Sequence, residues 1–258
     1  MFWIYDISRS VLCFLIAALI AVSATVPCLA AGAVHPNNIV YDLGGWQQFV
    51  AEGSLGIIDP RVTKMRIWLE GQVREDNNFR NVYQGLVRVA MGYQLNDRAT
   101  IWAGYNYAPS FPVNYSGANT NFPKYIAQQD VWPAFRYMLP TDYGTFIFRT
   151  MVEANFLPSN NNEVRYRPRQ MLRFMHPFEF EPRLNLIMWN EIFLIANTTA
   201  HGGQSGFNQN RAFLGAGWTF NKNFRFEGGY MNQFIEGAHY SSTSYDHNLI
   251  ITSLFINF

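Results

Sequence analysis

Arg165, Arg167, Arg169 and Arg173 follow one another at spacings of two and four. On an extended strand such positions share one face, so they form a basic ladder of the kind that draws and selects small anions. Carboxylates and further arginines are scattered through the same chain, Glu70, Glu153, Glu191 and Glu227 against Arg74, Arg88, Arg136, Arg149, Arg211 and Arg225. Such sets either pair with one another and fill an interior or line a passage. Hydrolytic chemistry has fewer footholds. The histidines are His35, His176, His201, His239 and His247. His201 and His239 fall in polar stretches near Ser205, Ser241 and Ser242, where a nucleophile and base could assemble. Asp246 and His247 are adjacent, and adjacent residues on a strand face opposite sides. There is no His-x-x-x-His metal pattern and no phosphate-binding glycine pattern. No catalytic residue, metal, cofactor or nucleic-acid partner is therefore assigned.

The elements that must position these charges alternate with period two, not 3.6. In residues 81–95, Tyr83, Val87, Val89, Met91, Tyr93 and Leu95 are apolar at odd positions, with Gln84, Arg88 and Gln94 at even ones. The same alternation runs through residues 64–74, 101–107, 146–156 and 224–234. Segments of about ten residues or more match a tilted strand crossing a bilayer; strands in soluble proteins run nearer five or six. If the apolar positions face lipid, the charges face a lumen. Lys64, Arg66, Glu52 and Asp130 then join the residues above, because each midplane Arg or Lys turned outward would cost about 2–4 kcal/mol. Tyr93, Tyr105, Tyr107, Phe156, Trp218, Phe220 and Tyr230 fall near predicted strand ends and suit interfacial girdles.

Eleven segments read as strands: 46–55, 64–74, 82–95, 100–107, 130–139, 145–157, 165–175, 184–195, 209–220, 224–234 and 247–258. An up-and-down barrel with both termini on one side needs an even number, so the expectation is twelve, with a strand hidden near 37–43, or else ten. Tight turns at 95–98, 140–144 and 220–223 alternate with long polar loops at 109–129, 158–164, 198–208 and 237–245. Short turns on one rim and long loops on the other is the layout of an outer-membrane barrel.

The chain's two ends point the same way. Arg9, the apolar run 11–22 and the small residues around Pro27, Cys28, Leu29 and Ala30 read as a cleaved secretory signal peptide spanning 1–30. Both cysteines, Cys13 and Cys28, lie inside it, which leaves residues 31–258 as one thiol-free domain suited to an oxidising compartment. With 14% charged and 17% aromatic residues, the chain is poorer in charge than an average soluble domain. Residues 248–258 alternate, and Leu254, Ile256 and Phe258 read as a C-terminal insertion signal on the face shared with Asn248, Ile250 and Thr252.

The order of these segments resembles an uncharacterised family of predicted outer-membrane barrels, domain of unknown function 2490. The likeness rests on Trp46, on Glu70-Gly71-Gln72-Val73-Arg74, on Arg165 to Arg169 and on Trp189-Asn190-Glu191-Ile192-Phe193. Its most specific parts are Phe207-Asn208-Gln209-Asn210-Arg211, Gly215-Ala216-Gly217-Trp218 and Glu227-Gly228-Gly229-Tyr230. The resemblance implies a barrel and supplies no activity. The reading is thus an all-β, closed antiparallel transmembrane β-barrel in the outer membrane of a Gram-negative bacterium. Its expected partners are membrane lipids, lipopolysaccharide and, during biogenesis, periplasmic chaperones and the barrel-assembly machinery. The specific role expected is a narrow anion-preferring channel for small solutes. The alternatives are a structural barrel sealed by an Arg/Glu network and, behind it, a lipid- or peptide-hydrolysing enzyme.

Overall fold

The structure, a computed structural model, describes residues 39–111, 126–156, 163–199, 203–237 and 243–258. Residues 1–30, read above as a signal peptide and holding both cysteines, together with His35, His201, His239, Ser241 and Ser242, lie outside the described residues. Among those described, eleven strands form one closed barrel. They are β1 (Ile39–Ser54), β2 (Met65–Asp76), β3 (Asn81–Gln94), β4 (Ala99–Ser110), β5 (Ile126–Thr141) and β6 (Gly144–Phe156). Then follow β7 (Val164–Phe178), β8 (Glu181–Ile195), β9 (Gly206–Thr219), β10 (Phe224–Ile235) and β11 (Ser244–Asn257).

Neither twelve strands nor ten is correct. Each strand pairs antiparallel with its successor, and the barrel closes through a parallel ladder between β1 and β11, from Ile39↔Ser244 to Glu52↔Asn257. An odd number of alternating strands leaves the first and last pointing the same way, so only a parallel pair can close the sheet. Residues 39–43, inside the stretch expected to hide an extra strand, are the opening residues of β1, which runs 16 residues.

Side chains alternate as the pattern demands. On β3, Val87, Val89, Met91 and Tyr93 are exposed on the outside, and Arg88 and Ala90 are buried inside. Tyr83 is an exception. The β2–β3 register shifts between Arg74 and Glu75, and a bulge of one extra residue re-aims a side chain; Tyr83, expected outside, lines the interior. Lys64, expected inside, is exposed in the connection before β2. Leu254, Ile256 and Phe258 keep the outer parity. Just past β11, Phe258 is tied in by its N–H to the Glu52 carbonyl at 3.1 Å and by its own carbonyl, which accepts from Ser54 N at 3.0 Å.

The rims are sorted less cleanly than expected. Two tight turns use the same device: Asn96 Oδ1 accepts from Arg98 N and Ala99 N, both at 2.9 Å. Asn221 Oδ1 likewise accepts from Asn223 N at 2.8 Å and Phe224 N at 3.0 Å. At Gly144, φ is +141° and an added Cβ would meet the Met175 carbonyl oxygen at 2.2 Å, so that turn requires glycine. However, the β2–β3 turn, with Asn77, Asn78 and Phe79 all at positive φ, is tight and sits on the rim of the long loops. The β1–β2 connection, with short 3-10 turns at Leu55–Ile57 and Pro60–Val62, lies on the other rim. Beside that rim, Phe146, Phe174, His176, Phe178 and Phe180 form a ring-on-ring series, with centroids 4.5–6.3 Å apart.

Candidate functional site in the barrel interior

The interior is not purely ionic. Two apolar clusters occupy it. One holds Trp68, Trp102, Trp132 and Met151, with Val50 from β1; the other holds Trp46, Ile187, Phe213, Met231, Leu249 and Ile251. Trp68 meets Trp102 and Trp132 edge-on at 5.6 and 5.9 Å, the arrangement that ring quadrupoles favour. Parity alone could have found these rings: Trp68 sits two residues from both Arg66 and Glu70, and Phe193 two residues from Glu191. A reading that follows charge passes over them.

The aromatics and the arginines are one construction. A guanidinium is weakly hydrated on its faces and donates from its edge, so it can stack on a ring and bond a carboxylate together. Arg169 lies 4.3 Å from the Phe193 centroid. Its edge spans Glu191, with Nη2 at 2.9 Å from both carboxylate oxygens, and it also bonds Glu153. Glu191 further accepts from Arg149 at 2.9 Å, and Glu153 pairs with Arg167 at 2.6 Å. Arg88 pairs with Glu70 at 2.9 Å and donates to Asn106 Oδ1 at 2.8 Å, which also takes the Trp132 indole N–H at 2.7 Å.

The Arg149–Glu191 pair already skips β7, and two more pairs bridge strands that are not neighbours. Arg136 of β5 grips Glu52 of β1 through both carboxylate oxygens at 2.6 Å, with Arg66 joining at 3.2 Å. Arg173 of β7 reaches Glu227 of β10, which Arg225 also contacts at 2.8 Å. Toward the long-loop rim amides come between the charges. Asp130 is held by Asn155 at 2.6 Å and Gln128 at 2.8 Å, and Arg165 donates to Asn155 Oδ1 at 3.0 Å.

Arg74 and Arg211 differ from the rest. Arg74 donates to Gln72 Oε1 at 2.9 and 2.6 Å and to Gln84, all neutral amides. Arg211 is no closer than 4.0 Å to Glu191, and the Gln209 amide oxygen, in the orientation its neighbours require, accepts from its Nη2 at 2.9 Å.

A cavity of about 680 Å³ runs between these side chains. Its lining reaches from Gln94, Asp97 and Asn257 at the tight-turn rim to Gln128, Gln209 and Gln233 toward the other. Of the residues considered for hydrolysis, Asp246 faces outward and accepts from Asn232 at 2.5 Å. His247 is buried on the interior parity, and Ser205 contacts Thr198.

A family model described as "Protein of unknown function (DUF2490)" matches residues 43–243. The chain belongs to that family. The match begins within β1 and ends just short of β11, so the DUF2490 region contains nearly all of the arginine network. An uncharacterised protein of Methylorubrum extorquens is 26% identical over 237 residues, covering 91% of this chain and 96% of its own length. No solved structure matches the chain.

Proposed function

We propose that this DUF2490 protein is an outer-membrane barrel with a narrow, anion-preferring passage for small solutes. One observation carries the passage: a single cavity extends from one rim toward the other, and its walls hold more arginines than carboxylates. At about 680 Å³ it has the size of a single small-molecule pocket, so the solutes are small. The membrane setting is supported by strands of 12–16 residues and by an outer face carrying Val87, Val89, Met91, Ile101, Val131, Phe135, Leu214 and Ile250 exposed. A soluble barrel would leave that much apolar surface in water. The aromatic series from Phe146 to Phe180 fits an interfacial girdle. Export through residues 1–30, assembly by the barrel-assembly machinery and contact with lipopolysaccharide belong to the same proposal.

A second reading has its own observation. Glu52, Glu153, Glu191 and Glu227 each hold two or more arginines, and the Arg136–Glu52 and Arg173–Glu227 pairs reach across the interior. Such a web would make the lumen a structural plug. Purified protein in planar bilayers under a KCl gradient separates the two. A reversal potential displaced toward the chloride equilibrium supports the passage. Absence of conductance favours the plug, and conductance without ion preference removes the anion selectivity.

A further inference from the structure

We infer that Arg74 and Arg211, gathered on the indole of Trp46, form a binding site for one small oxyanion, phosphate- or carboxylate-bearing. The inference deepens the proposed passage by giving it a defined site, and it rests on that reading only for the ligand's route of entry.

The two guanidiniums share one ring. Arg74 Cζ lies 4.1 Å from the Trp46 centroid and Arg211 Cζ 4.7 Å, which keeps the two charges within about 9 Å of each other, a span one oxyanion between two guanidiniums can bridge. Arg211 also lies 4.5 Å from the Phe193 centroid. Both residues are more than nine-tenths buried, at 8% and 9% exposure, and both line the cavity. Arg66, Arg88, Arg136, Arg149, Arg167, Arg169 and Arg225 meet carboxylates at 2.6–3.2 Å. Arg74 makes no ion pair among the described residues, and Arg211 has only the 4.0 Å approach to Glu191. Their hydrogen bonds go to Gln72, Gln84 and Gln209. Neutral amides occupy N–H groups without neutralising charge, so two buried cations on one ring are left short of a counterion in direct contact.

The geometry selects the ligand class. Both side chains line the cavity, each guanidinium has more N–H groups than its amide partners use, and a planar fork matches the oxygens of phosphate or carboxylate. Tyr83, turned inward by the β2–β3 bulge, lines the same part of the cavity and adds a hydroxyl. The rest of the network lacks this character: Arg88, Arg149, Arg167 and Arg169 already hold carboxylates.

The test is isothermal titration of the full chain, refolded in detergent micelles, with inorganic phosphate in a low-salt, phosphate-free buffer. Saturable binding of one phosphate per barrel is expected, weakened at least tenfold in Arg74→Gln and in Arg211→Gln. The control Arg61→Gln, in the exposed β1–β2 connection, should bind as the parent does. Arg211→Lys keeps the charge and loses the fork, so it should fold and bind severalfold more weakly. A parent that shows no saturable binding, or variants that bind phosphate as tightly as the parent, would overturn the site. Micelle binding does not depend on conduction. A barrel that binds phosphate but carries no current would therefore lose the passage and keep the site; one that conducts anions with phosphate binding undiminished in both variants would do the reverse.

Discussion

Glu191→Gln is the sharpest single test of the interior network. Glu191 is 3% exposed and sits among three arginines: Arg169, which grips both oxygens, Arg149 at 2.9 Å and Arg211 at 4.0 Å. Glutamine keeps the volume and one acceptor, so Arg169, which also holds Glu153, loses least. Arg149 loses most, because Glu191 is its one carboxylate and its Nε already lacks a partner. Removing one member of a buried pair costs about 3–5 kcal/mol. Since Arg149 and Glu191 both line a cavity with room for water, the lower end is expected, about 3 kcal/mol. Urea titration of the protein in lipid vesicles, followed by the fluorescence of its seven tryptophans, measures this directly. Arg149→Met in the same chain as Glu191→Gln should then cost much less than the two changes summed, because the orphaned charge is gone. Glu191→Gln within about 0.5 kcal/mol of the parent, the range of ordinary surface substitutions, would refute the network as a source of stability. A fully additive double variant would refute its connectivity.

Two further outcomes follow from the faces of the strands. Val87→Arg, at the middle of β3 on the outer side and 56% exposed, should destabilise the protein by about 2–4 kcal/mol in vesicles if that face meets lipid; a change of no more than about 0.5 kcal/mol would place it in water. Gly104→Ala should cost about 1–3 kcal/mol by overpacking, since the new Cβ would fall 2.3 Å from Trp132 Cζ2 and 2.8 Å from Ala90 Cβ. A thermal melt indistinguishable from the parent's would show that the Trp68–Trp102–Trp132 cluster yields more easily than its spacing implies.

Much of this arrangement was legible in the sequence because the side-chain period of a strand is two whatever its neighbours do. Arg88 and Arg149 lie inside and Val87 and Phe148 outside for that reason alone. Tyr83 was misread where the period slips by one residue at a bulge, a slip that shows only once β2 and β3 are laid side by side. Lys64 was misread at a boundary, one residue before β2 begins. The division of labour among arginines could not be read at all. Arg74 and Arg88 have the same parity and similar surroundings in sequence, yet one meets amides and the other Glu70. That difference arises from the β2–β3 register, which sets Arg88 opposite Glu70 and Arg74 opposite Gln84, and the register is not written in either strand alone.

The parallel seam was illegible for a related reason, and it does the most to organise the interior. Parallel and antiparallel ladders differ in hydrogen-bond slant, not in side-chain alternation, so β1 and β11 read as ordinary strands. With no hairpin to set their register, packing must set it. Trp46 lies beside Ile251 in one apolar cluster, Val50 beside Phe255 at the other, and between them Ser253 Oγ donates to Gln48 Oε1 at 3.1 Å. A slip of one residue would turn Trp46 outward and take the shared indole from Arg74 and Arg211. The same seam places the start of β1 on the long-loop rim and the end of β11 on the tight-turn rim. In a membrane those two strand ends face opposite sides, so the one ladder that closes the barrel also fixes which rim the Trp46 site lies nearer.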